Sequence, residues 1–229
     1  MPSLTDAKTI IDKASILLGD ASQTRWFPSE LLGYLNDGQT EITLMVPNCN
    51  PSTALITLVA GSKQEAPDDS IRINGFVRNM GVGGNTPGRI IREVTRAYMD
   101  AYVPNWTSST PSNEVIHAVY DAEDNNKTFY VYPPQPIAPS QIEIVYSKVP
   151  TQVNNVNSGT KITIADYYSN ALLDYILYRA FSKDSEYANQ AERSANHYSA
   201  FVNAVGAKFK VDSAVSDDTR DEGRKDLRR

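Results

Sequence analysis

At 229 residues the chain is long enough for one large domain, or a domain carrying an insertion, with a real hydrophobic core. Its 41% apolar and 21% charged residues are those of an ordinary globular protein, and a net charge of −5 argues against a protein that coats nucleic acid. A single cysteine forbids an internal disulfide, and no stretch approaches the about 20 apolar residues that span a bilayer, nor does Met1–Asp6 begin a signal peptide.

The first predicted element is a helix over 5–18. Thr5 or Asp6 can cap it, Ala7, Ile10, Ile11, Ala14, Leu17 and Leu18 form its apolar stripe, and Gly19 stops it. A second helix over 28–45 starts at Pro28, whose missing N–H costs nothing at the first helical position. It presents Leu31, Leu32, Leu35, Ile42 and Met45, and Pro47 ends it. The short link Asp20–Arg25 makes the two a hairpin.

Beyond Pro51 the period turns from helical to alternating. Segments around 55–59, 71–77, 91–94, 115–121, 128–132 and 142–146 read as about six strands, with 115–121 and 128–132 a hairpin around Glu123–Asn126 and Pro133-Pro134 its end. Helical turns over 95–102 interrupt them, and the Asn-rich stretch 151–160 reads as a surface linker. From Asp166, a candidate N-cap, apolar residues again recur in steps of three, four and sometimes seven through Leu173, Ile176/Leu177, Ala180, Tyr187, Ala191, Ala195, Tyr198, Val202, Val205 and Phe209, with a turn or kink near Asp184. Polar Ser182–Ser185 divides this run into helices over about 166–182 and 185–208, one continuous helix being the alternative. The expected fold is α+β: a helical bundle built from both ends of the chain (1–50 and 160–210), an inserted, mainly antiparallel β-module (51–159), and a flexible C-terminal arm (211–229).

The chemistry-bearing residues are few. Gly83 and Gly88 have phosphate-loop spacing, but Arg89-Ile90 replace the required Lys and Ser/Thr, and Thr86 breaks the dinucleotide pattern. His117 and His197 have no second ligand at metal spacing, and Cys49 has no nearby base. Glu123-Asp124, Glu186 and Glu192 read as solvated charge. No catalytic, metal or cofactor residue is therefore assigned, and the chain is not read as an enzyme. Tyr98, Tyr102, Tyr120, Tyr130, Tyr132 and Tyr146 could form a carbohydrate platform, though strand tyrosines more often serve packing or protein interfaces.

Several motifs in order resemble the adaptor, or head-to-tail connector, proteins of tailed bacteriophages. They are Trp26–Gln39 (WFPSELLGYLNDGQ), Ala60–Pro67 (AGSKQEAP), Val77–Gly81 (VRNMG), Gly88-Arg89, Pro104-Asn105-Trp106, Thr128–Pro134 (TFYVYPP) and the helical run 171–201. Phe27 stands where the family often has a small polar cap, and Ala66 where it often has an apolar residue. The resemblance implies a structural virion protein, a subunit of a homo-oligomeric ring of about twelve that joins the portal protein to a tail or nozzle protein after DNA packaging. It implies a place at the head–tail junction of the virion, host cytoplasm during assembly, genome DNA passing without specific binding, and no membrane partner. A carbohydrate- or receptor-binding tail module and a cell-wall hydrolase are the alternatives.

The end of the chain, 211–229, has acids before Gly223 and bases crowded after it. With almost nothing apolar it is expected to be disordered when free and to dock on the portal through Arg220, Arg224, Lys225, Arg228 and Arg229.

Overall fold

The computed structural model describes residues 5–121, 127–157, 159–183 and 189–226, and of 208, 209 and 211–226 the backbone alone. Among the described residues the order is α1 (Ala7–Leu17), α2 (Pro28–Met45), β1 (Pro51–Thr57), β2 (Gly61–Glu65), β3 (Ser70–Gly81), β4 (Arg92–Glu93), α3 (Arg96–Tyr102), β5 (His117–Tyr120), β6 (Thr128–Gln135), β7 (Gln141–Lys148), α4 (Ser169–Lys183) and α5 (Gln190–Asp226). The chain divides into two compact units, Met1–Cys49 with Pro150–Arg229, and Asn50–Val149.

In the first unit, α1 and α2 place Ile10, Ile11, Ala14, Leu31, Leu35 and Ile42 against Leu172, Ile176, Leu177 and Ala180 of α4. Gly38 lets α2 come close, since a Cβ there would lie 3.0 Å from the Tyr175 ring. This is not the helical bundle built from both ends that the sequence predicted. Among the described residues the chain is α+β with five α-helices and two sheets, and one helix, α3, lies inside a β-rich central region. Even the core of the first unit is not made by helices alone. Val153, in the stretch 151–160 expected to be a surface linker, is buried within it, as are Ile162 and Ile164 of the irregular approach to α4 and Tyr168 of a 3-10 turn.

Two amides on α2 explain why that irregular stretch can be buried. Asn36 Oδ1 accepts from the Val153 N–H at 2.9 Å while its Nδ2 donates to Val153 C=O at 3.0 Å. One turn on, Gln39 Oε1 accepts from the Thr163 N–H (2.7 Å) and hydroxyl (3.0 Å). Buried peptide groups that no helix or sheet satisfies are thus paired by side chains.

Two expectations at helix ends are also corrected, and the division of the C-terminal run holds. Asp6 stands at the N-cap of α1 without a side-chain capping bond, because its carboxylate pairs with Lys161 at 2.6 Å. Asp166 accepts from the Thr5 N–H at 2.8 Å instead of capping a helix, and α4 begins only at Ser169. The C-terminal run is two helices, with Asn189 in the left-handed region (φ 73°) just before α5; the expected break at Asp184 and the apolar Tyr187 lie outside the described residues. The buried face of α5 is Ser194, Phe201 and Val205, so the predicted stripe through Ala191 and Ala195 is on solvent. The Ser194 hydroxyl meets that of Ser182 (2.6 Å) and donates to Tyr178 C=O (3.2 Å), and His197 Nδ1 lies 2.9 Å from Asp174 Oδ1. These polar contacts hold the first part of α5 to α4, and farther along Val202 and Val205 of the predicted stripe do pack against the core.

The second unit stacks two sheets. One has the order β1-β7-β3 and is antiparallel; the other, β2-β6-β5-β4, is mixed, with β4 and β5 parallel. Ile142, Ile144 and Tyr146 of β7 and Ile73 of β3 meet Phe129 and Val131 of β6 and Ala118 of β5. The alternate residues Val119, Tyr130 and Tyr132 face the other way, onto Met99 of α3 and Trp106. Contrary to expectation, β6 runs through Pro133-Pro134, where the Tyr132–Pro133 peptide is cis. The strand survives because its carbonyls accept, Tyr132 from Ile116 N–H (2.7 Å) and Pro134 from Ser112 N–H (2.9 Å). Gln135 Nε2 gives Ser112 C=O the donor that Pro134 lacks, at 2.9 Å.

Leu35 and Leu177 are both fully buried, so replacing either by Ala should cost about 2–5 kcal/mol in urea unfolding. A second expectation concerns the α1–α2 link, where the Asp20 carboxylate accepts from the Trp26, Arg25 and Thr24 N–H groups at 2.9, 2.8 and 3.0 Å and from the Thr24 hydroxyl at 3.0 Å. The Trp26 N–H above all, then those of Thr24 and Arg25, hold its pKa down to about 2 against the opposing effect of burial. A carboxyl depressed in the folded state adds stability above its unfolded value of 3.8, which is lost as pH falls toward about 2. Asp20→Asn should therefore melt below the parent at neutral pH, and the gap between their melting temperatures should close across that acid window.

Candidate interaction surfaces

The residues considered for chemistry are dispersed. Among the described residues, no group of three or more His, Cys, Asp or Glu side chains is placed to hold a metal. His117 lies on β5 with its ring 6.2 Å from that of Tyr132, nearly parallel, and burial lowers its pKa, with the charges of Arg92 and Arg89 adding to the effect. His197 is enclosed between Asp174 and the Phe181 ring. Cys49 is buried, its thiol donates to Thr43 Oγ1 at 3.4 Å, and burial raises its pKa, which describes an unreactive thiol. Glu192 is exposed on α5; Glu123, Asp124 and Glu186 lie outside the described residues.

The glycine loop is a hydrogen-bonded tip to β3 and offers no cradle for phosphate. Three of its N–H groups are turned inward, Gly84 to Gly81 C=O (3.4 Å), Thr86 to Met80 C=O (3.3 Å) and Gly88 to Asn79 C=O (2.7 Å). Asn79 organises its base from a buried position, accepting from Val115 N–H (2.8 Å) and donating to Val115 C=O (2.8 Å) and Arg89 C=O (2.9 Å).

The six tyrosines weighed as a platform do not share one surface. Tyr146 is buried between the sheets, Tyr120 receives the Ile73 N–H at 3.1 Å, and Tyr130 and Tyr132 pack on the α3 side of β6. Tyr98 and Tyr102 remain exposed on α3, the latter at 73%, with ring centroids 4.7 Å apart. A second exposed set is apolar. Thr57 and Gly81 both pair with Gln141, so the turns that follow β1 and β3 and the turn that precedes β7 share one end of this unit. Val59, Val82 and the 95% exposed Ile137 stand on those turns. Such clustered apolar tips suit protein contact better than solvent.

Residues 5–225 match the family described as SU10 adaptor protein. The chain belongs to that family. A comparison with curated proteins gave no match. The family is one of phage adaptors, and the protein is accordingly a structural component of the virion type. In this adaptor the motifs that carried the resemblance are mostly framework. Asn36, Gly38 and Gln39 serve the packing of α2, and Asn79 and Gly88 the base of the glycine loop. In the motif Ala60–Pro67, Gln64 Oε1 accepts from Val59 N–H (2.7 Å) and its Nε2 donates to Val59 and Gly61 C=O (2.8 and 3.0 Å), while Ala66 is buried between the sheets. Phe27, at the N-cap of α2, makes no side-chain bond; its C=O accepts from Glu30 and Leu31 N–H at 2.9 and 3.1 Å.

The cations assigned to the arm divide between two places. Arg220, Arg224 and Lys225 stand on the backbone of α5, and Arg228 and Arg229 lie outside the described residues. The backbone is helical through Asp226, where composition predicted no regular structure.

Asn79→Ala would leave the peptide groups of Val115 without their side-chain partner. At about 1–3 kcal/mol for a buried group left unsatisfied, the adaptor should lose several kcal/mol of unfolding free energy in urea, far more than an exposed Asn85→Ala.

Proposed function

We propose that this adaptor is the ring subunit that joins the phage portal to the tail once DNA is packaged, in a ring of about twelve copies. The observation that carries the reading is α5, 37 residues long. From Gly206 to Asp226 it continues for about 30 Å at about 1.5 Å per residue. A helix of that length is suited to reaching another protein. The exposed tips at Val59, Val82 and Ile137 provide a second surface, fit for the tail or nozzle protein. The acidic balance of the chain suits a channel that DNA must traverse without being held. The adaptor would then reside at the head–tail junction, after a period in the host cytoplasm.

On this reading Arg220, Arg224, Lys225, Arg228 and Arg229 dock the C-terminal segment on acidic groups of the portal through charge-assisted hydrogen bonds. Deleting 211–229 should leave the melting temperature nearly unchanged and strongly weaken attachment in a pull-down with portal. Truncated protein that completes heads and joins tails as well as the full chain would refute the docking role.

A further inference from the structure

Sheet edges are a hazard unless they are shortened, bulged, charged or covered. Three of the four edges in the central unit show these devices. β4 has two residues. β2 is bulged between Gly61 and Lys63 and carries Lys63 and Glu65. β3 slips register repeatedly against β7, and its far side is engaged by the bridge from Arg78 to Ile90 and by Ile91 N–H on Val77 C=O.

Among the described residues β1 is neither short, bulged nor charged, and its one blunting residue is Pro51 at its start, ahead of the stretch 53–57. It pairs with β7 in unbroken register from Pro51 to Thr57 and carries no charged residue. Lys148 N–H donates to Asn50 C=O and Leu58 N–H to Ser140 C=O, so the even-numbered residues of β1 are those that bond β7. The peptide groups of Thr53, Leu55 and Thr57 therefore point outward, and no partner meets them among the described residues. Their side chains share the exposed face, with Leu55 at 49%.

The sequence of this edge is self-complementary. Thr53-Ala54-Leu55-Ile56-Thr57 reads nearly alike in both directions about Leu55. We infer that β1 pairs antiparallel with β1 of a second copy, on a dyad through Leu55, making one continuous sheet across two chains. In that register Thr53 faces the partner's Thr57, Leu55 faces its own copy, and all three outward N–H groups find carbonyls. Thr–Thr and aliphatic cross-strand pairs are favourable, and no like charges meet. The other edges of the unit are blunted, which makes β1 itself the edge best able to complete β1. A dyad contact of this kind is isologous and closes on two copies. It is distinct from the contacts of a ring and does not rest on the adaptor reading; it would cover the edge in free subunits.

The test uses the full chain. Sedimentation from micromolar to millimolar concentration should show a dimer, and hydrogen exchange at Thr53, Leu55 and Thr57 should slow as it forms. Leu55→Lys, which sets two ammonium groups on the dyad, should give the mass of one copy while the melting curve stays cooperative. The register is read by cysteines in a Cys49→Ser background. Paired residues lie about 5.5 Å apart between Cα atoms, within disulfide reach, so Leu55→Cys should link to itself on oxidation. Thr53→Cys, about 13 Å from its own copy in this register, should link only when mixed with Thr57→Cys. A monomer at every concentration, a dimer indifferent to Leu55→Lys, or self-linking of Thr53→Cys equal to that of Leu55→Cys would each overturn the pairing. None of these results bears on portal attachment, which the 211–229 deletion reads separately.

Discussion

Asn36, Gln39, Gln64, Asn79 and Gln135 each spend their side-chain amide on main-chain groups that lack a ladder partner. A buried peptide group without a partner costs about 1–3 kcal/mol, so a fold with irregular buried segments stands only where such groups are met. A neutral amide suits the task, because it offers a donor and an acceptor without the desolvation cost of a charge. The irregular approach to α4, the turn between β1 and β2, the base of the glycine loop and the proline end of β6 all depend on this device. Four of these residues lie inside the motifs that link the chain to its family, which gives those motifs a structural cause.

Much of the fold is legible in the sequence where one signal acts alone. The stripe of Ile10, Ile11 and Ala14, and that of Leu31, Leu35 and Ile42, mark α1 and α2 because apolar spacing decides a helix packed on one side. The alternation of Ile142, Ile144 and Tyr146 marks β7 in the same way. Sequence reasoning fails where a polar side chain overrides that spacing. Ser194 and His197 hold the first part of α5, Gln135 carries β6 through two prolines, and Asn36 draws Val153 inward from a stretch rich in asparagine. Asp20 shows the same limit, since a short polar link gives no hint that one carboxylate gathers three successive N–H groups. No periodicity records these contacts, since each partner lies at a distance the sequence does not encode.

The surfaces available for partners are correspondingly hard to read from residue types. The tyrosines that drew notice are mostly packed, whereas Ile137 and Val82, in turns between strands, are exposed. A structural adaptor is consistent with this division. Its distinctive polar residues hold backbone, and its exposed tips are ordinary aliphatic side chains placed by the turns that carry them.

At the start of β1, Asn50 Nδ2 donates to Lys148 C=O at 3.1 Å, and Lys148 N–H returns to Asn50 C=O at 3.0 Å. The central unit therefore begins and ends at one point of its own sheet, like a closed parenthesis in the chain. Loop-closure cost grows only slowly with length, so a segment whose ends already touch can be long without much entropic burden on its host. The same geometry makes the segment transferable: recombination at the two points around Asn50 and Val149 could exchange one β-rich insert for another while leaving the surrounding helices their spacing, and surface diversity could accumulate in the insert independently of the remainder.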